Sequence, residues 1–189
     1  SGMDNMKSLQ VQLILQCAPF LKGIKIACIL NITEENSREL YEILEGTGIE
    51  FKILTRNHGK CLVFLYRRES FSRYLKRTDV REFLGSYGYE DVEPEKMLER
   101  LSKRVCQYSD GEICFPHEIG AFLDYPIDDV KCFIEKDGKD SLFSGYWKVY
   151  NNPGRAKMIF WAYDKAKTSA VNEYLIGKSI QDIAYAAAC

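Results

Sequence analysis

The 189-residue chain predicts an α+β fold: a small mixed sheet, made of a β-α-β-β core plus one later strand, covered by several helices. Three observations point there. Residues 24–66 hold short apolar runs of strand length, broken by a helix-cap signal and then by a turn signal. From residue 67 to residue 136 the apolar residues recur at helical spacing instead. No internal repeat and no linker rich in proline, glycine or serine interrupts the chain, so one domain over residues 1–189 is expected, with Ser1-Gly2 ahead of Met3 read as the scar of a cleaved tag.

The elements follow in order. Leu9, Val11, Leu13, Ile14 and Leu15 fit a helix that should stop before Pro19, because the residue preceding a proline disfavours the helical region. A strand is predicted over Ile24–Asn31. Thr33 then offers an N-cap to a helix that has Glu34 and Glu35 in its first turn, carries Leu40, Tyr41, Ile43 and Leu44, and ends at Gly46. Ile49, Phe51 and Ile53 alternate with Glu50, Lys52 and Leu54 as one strand. The turn signal Asn57-His58-Gly59 leads into Cys61–Tyr66 as its hairpin partner.

Three helices should come next, marked by Phe71, Tyr74 and Leu75, by Val80, Phe83 and Leu84, and by Met97, Leu98, Leu101, Val105 and Tyr108, the third opened by Pro94. Two shorter ones, Pro116–Leu123 and Pro126–Lys136, each begin at a proline. Tyr146–Tyr150 alternates as the later strand. Asn152-Pro153 starts a long helix reaching Gly177, and Ser179 starts a last short one.

Composition excludes several classes. With 46% hydrophobic and 13% aromatic residues the chain can bury a core, so disorder and collagen-like structure are ruled out. No apolar run approaches the roughly 18 residues of a membrane span, and the start of the chain lacks the pattern of a signal peptide, so a cytoplasmic location is expected. Lys+Arg 26 against Asp+Glu 27 leaves a net charge of -1, with no global field for a polyanion. The seven cysteines show neither CxxC nor zinc-site spacing, which makes reduced, mostly buried thiols the expected state and predicts no metal site.

Four constellations carry possible chemistry. Glu118–Leu123 followed by Pro126, Val130 and Ile134 has the spacing of a helix-turn-helix. However, its second helix would meet phosphates with Asp128 and Asp129, which counts against a DNA-binding regulator. Between Arg67 and Arg81 six cations face two acids, a net +4 that the net -5 over Glu82–Glu99 can neutralise; as a functional feature it would bind phosphate or an acidic partner, and Arg67, at its head, joins the candidate binding residues. Catalysis by a thiol needs an imidazole. His117, at a helix start beside Glu118, is the better of the two histidines, with Cys17 and Cys61 as candidate nucleophiles. Finally, alternation would set Tyr146, Lys148 and Tyr150 on one face of the later strand, where two rings and an ammonium suit an anionic or aromatic ligand, while Trp147 and Val149 anchor the core. No phosphate loop, dinucleotide fingerprint, HExxH or GxSxG occurs, so no cofactor is indicated.

Several blocks carry a family resemblance: Cys17-Ala18-Pro19 with Leu21, Gly23 and Lys25; Leu65-Tyr66-Arg67; Phe115-Pro116-His117-Glu118-Ile119-Gly120 with Phe122, Leu123, Tyr125, Pro126, Asp129 and Val130; and Gly145–Tyr150. In this order the chain resembles the domain-of-unknown-function family numbered 3793. The resemblance implies an intracellular bacterial protein of Gram-positive anaerobes and brings no known activity, cofactor or catalytic residue. The chain departs from the family pattern near Thr168, where a cysteine is missing. The resulting expectation is a module that binds a small anionic ligand or a protein partner through His117, Glu118, Tyr146, Lys148, Tyr150 and Arg67. A Cys/His enzyme using Cys17 or Cys61 with His117 is the alternative and a DNA-binding regulator the second; the sequence says nothing of oligomeric state.

Overall fold

In the computed structural model, which describes residues 8–91 and 93–185, the contacts gather into two compact units; Ser1-Gly2 and Cys189 lie outside the described residues. The first unit takes the chain up to Arg67 and again from Asp164, and the second takes Arg68–Tyr163.

Ser8 opens the first unit by accepting the Val11 amide at 3.3 Å, and α1 runs Leu9–Leu21. The helix therefore continues through Pro19, where the sequence predicts a stop. An interior proline costs about 3 kcal/mol. Against it stand the full burial of Phe20 and Leu21, each worth about 1.5–3 kcal/mol. The Arg67 guanidinium adds to this by donating to the carbonyls of Phe20 at 2.8 Å and Leu21 at 3.2 Å. The longer helix, closed by the left-handed Gly23, delays β1 to Ala27–Thr33. The Gln16 side chain covers the backbone of this edge strand, accepting from the Asn31 amide at 2.8 Å and donating to the Asn31 carbonyl at 3.1 Å.

Thr33 caps α2, Glu34–Ser37, through the Asn36 amide at 3.1 Å. The single helix expected here is two, with α3 at Leu40–Leu44. The break has a local cause: the Ser37 hydroxyl donates to the Glu34 carbonyl at 2.6 Å, and the amides of Arg38 and Glu39 tighten onto the carbonyls three residues back. β2, Glu50–Asn57, and β3, Lys60–Tyr66, form the predicted hairpin across His58 and Gly59, both left-handed as a two-residue turn of this kind requires. The strand order is β1-β3-β2, and all three pair antiparallel in place of the mixed sheet expected. β1 and β2 do run the same way, but β3 lies between them and no parallel ladder forms.

The second unit begins with α4, Arg68–Leu75, α5, Thr78–Gly85, and α6, Pro94–Ser109, each burying its apolar face as the spacing predicts. A single turn follows as α7, Ile119–Phe122, shorter than predicted, and then α8, Ile127–Glu135. The later strand is the two-residue β5, Lys148–Val149, which pairs only with β4, Phe143–Ser144, in a separate hairpin. α9, Pro153–Leu175, supplies residues to both units. α10, Ile180–Ile183, opened by a capping box at Ser179, returns to the first unit. The fold is thus α+β. Among the described residues no helix is long and apolar enough to cross a membrane.

Candidate functional site

Two buried carboxylates shape the second unit. Glu118, fully buried, accepts from the Tyr89 hydroxyl at 3.1 Å and pairs with the Arg104 guanidinium. Its hydrogen bond to Glu118 holds the Arg104 guanidinium above its ordinary range, while burial, reinforced by the Glu118 charge, pushes the Tyr89 phenol up. The Tyr74 hydroxyl donates to the Ala121 carbonyl nearby. Glu118 is consequently an internal anchor of the 115–123 segment. His117, immediately before it, is half-buried instead and stacks at 5.1 Å on both Phe115 and Phe133.

The second carboxylate, Asp129, sits in the first turn of α8 and is 2% exposed. Its Oδ2 accepts the Trp147 indole N–H at 2.8 Å. Its Oδ1 accepts the amides of Tyr150 at 3.0 Å and Asn151 at 2.8 Å and the Asn151 side chain at 3.1 Å. Four N–H donors on one carboxylate tie the hairpin to the helix start and fix the plane of the indole.

Asp129 lines a pocket of about 220 Å³. Tyr125 and Trp147 form one wall, with ring centroids 5.8 Å apart, and Phe115, His117 and Phe133 form another. Ile119, Gly120 and Val130 complete the apolar lining. A Cβ at Gly120 would stand 3.0 Å from the Tyr125 ring and 3.1 Å from Val130, so those side chains would have to give by a few tenths of an ångström. Lys148 is at the exposed rim, its ammonium donating to the Gly138 carbonyl at 2.7 Å and standing 5.8 Å from the Phe133 ring centre. Among the described residues the His117 imidazole makes ring contacts and no hydrogen bond, so it has polar capacity left for a ligand.

Of the candidate residues, His117 and Lys148 line this pocket together; Glu118 and Tyr150 do not line it, although the Tyr150 amide donates to Asp129, which does. Tyr150 donates its hydroxyl to the Lys139 carbonyl at 2.9 Å. Tyr146 stacks instead on Phe160 at 5.5 Å and Tyr163 at 5.0 Å, because the three-residue hairpin loop breaks the alternation that would align it with Lys148. Arg67 belongs to the first unit, where its guanidinium also reaches the Tyr185 carbonyl at 3.2 Å; burial lowers its affinity for a proton. Cys17 and Cys61 lie in the aliphatic core of that unit, the Cys17 thiol donating to the Ile29 carbonyl at 3.7 Å. In the basic stretch, Arg68 pairs with Glu95 and Arg77 with Asp79 at 2.7 Å.

Sequence reasoning missed Phe115, Tyr125, Asp129 and Phe133 as parts of one site. Phe115, Tyr125 and Asp129 stand in the blocks that carry the family resemblance, and Asp129 is an acid in the first turn of a proline-opened helix, but no spacing joins residue 117 to residues 133 and 148. Among the described residues no cluster of histidine, cysteine and carboxylate side chains fits a metal. Residues 13–184 match the model of a family described as protein of unknown function (DUF3793). Searches of curated proteins and of solved structures returned no match.

Proposed function

We propose, for a chain that belongs to the DUF3793 family, that the pocket between α7, α8 and the β4–β5 hairpin binds a small molecule and that the protein is a ligand-binding module. The carrying observation is the conjunction of a concave, ring-lined space of about 220 Å³ with one imidazole facing it that has no hydrogen-bond partner among the described residues. A core with no binding role would fill such a space or leave it without polar groups. Cys17, Cys28 and Cys61 are buried free thiols, which supports action in a reducing compartment such as the cytoplasm.

Titration with phenol tests the reading. Trp147 lines the pocket and its indole N–H points to Asp129, so its indole ¹H–¹⁵N resonance should shift saturably while that of Trp161, 62% exposed, stays put. A resonance that does not move at millimolar phenol argues against a ligand pocket.

A further inference from the structure

Resting on that reading, we infer that the ligand is a single aromatic ring bearing one anionic group, an aryl carboxylate or its chemical equivalent. Size sets the first limit. A cavity of about 150 Å³ lined by apolar side chains already holds a benzene ring, so about 220 Å³ leaves space for one ring and a substituent of a few heavy atoms. The walls set the second, because the rings of Phe115, Phe133 and Trp147 favour the edge-to-face and offset contacts that a flat aromatic guest makes.

The sign of the substituent follows from which polar groups are already used. Both oxygens of Asp129 are occupied by N–H donors, and the Trp147 N–H is among those donors. A cationic guest would therefore find the one carboxylate lining the pocket, Asp129, already holding four N–H donors, and would face the Lys148 ammonium at the rim. An ammonium has three N–H donors, and Lys148 spends one on the Gly138 carbonyl. The imidazole of His117 lines the same pocket and carries an N–H donor even when neutral, so together with Lys148 it can donate to an anion. A ring seated among rings, with its carboxylate toward Lys148 and His117, uses the donors this pocket has left.

The test compares three probes of one size on the intact protein: benzoate, benzyl alcohol and benzylamine, each followed by the Trp147 indole resonance. Benzoate should bind at least about tenfold more tightly than the other two. Lys148→Met should weaken benzoate about tenfold and leave benzyl alcohol within about twofold, whereas Lys148→Arg should retain most of the benzoate affinity. Equal affinity for benzoate and benzyl alcohol, preference for benzylamine, or indifference of benzoate to Lys148→Met overturns the anionic assignment while the pocket reading stands. No Trp147 shift with any of the three overturns both.

Discussion

Replacing Asp129 with alanine removes the acceptor that four N–H groups share, and the cost can be worked from their surroundings. Hydrogen bonds to a charged group are worth about 1.5–3 kcal/mol each. The two donors from Asn151 belong to an exposed residue and turn to water, so they contribute little. The Trp147 indole N–H is on a side chain only 7% exposed, and the Tyr150 amide is half-buried, so these two are stranded. The expected loss is about 3–5 kcal/mol, a large part of the roughly 5–15 kcal/mol that stabilises a typical domain. Asp129→Asn keeps one acceptor oxygen but turns an amide N–H₂ toward the indole, and should cost about 2 kcal/mol. Urea unfolding, read by Trp147 fluorescence in a Trp161→Phe background, measures both. Asn151→Ala is the control and should stay under about 1 kcal/mol. If Asp129→Ala costs less than about 1 kcal/mol, or no more than the control, the carboxylate is not the latch described and the indole wall is held by packing alone.

Two further outcomes follow from the first unit. N-ethylmaleimide should label the exposed Cys114 of the native protein first and reach the buried Cys17, Cys28 and Cys61 only on unfolding. Burial, reinforced by the Cys17 hydrogen bond, also pushes the Cys28 thiol up and away from the reactive thiolate; peptide mapping that finds Cys17 labelled as fast as Cys114 would contradict this. The hydrogen bond from Lys22 holds the Glu173 carboxyl below its ordinary range. Its unfolded value is about 4.3, so the contribution of the pair is complete above about pH 5 and is lost as pH falls through the lower folded value. The Tm advantage of the wild type over Glu173→Gln should thus shrink between about pH 5 and pH 3, and an advantage that grows on acidification would reverse the assignment.

Features governed by neighbours in the chain were legible from the residues alone. His58-Gly59 is a hairpin turn because two adjacent left-handed residues are what such a turn needs. Thr33 and Ser179 cap helices because their hydroxyls reach amides three residues on. The helices after Arg67 follow from apolar residues spaced to one face. Of the pocket, the sequence marked His117 and Lys148 as binding residues and did not join Phe115, Tyr125, Asp129 and Phe133 to them.

What it did not carry are the outcomes decided between distant residues. α1 passes through Pro19 because burial of Phe20 and Leu21, and a guanidinium 47 residues away, outweigh a local preference. Glu118 reads as a binding residue beside His117 until Arg104 and Tyr89 draw it inside. Asp129 reads as an ordinary first-turn acid, and only folding brings the indole 18 residues on against it. Local conformational energies are written along the chain and can be read there; the pocket exists only because side chains remote in sequence desolvate one another, and that choice belongs to the tertiary structure.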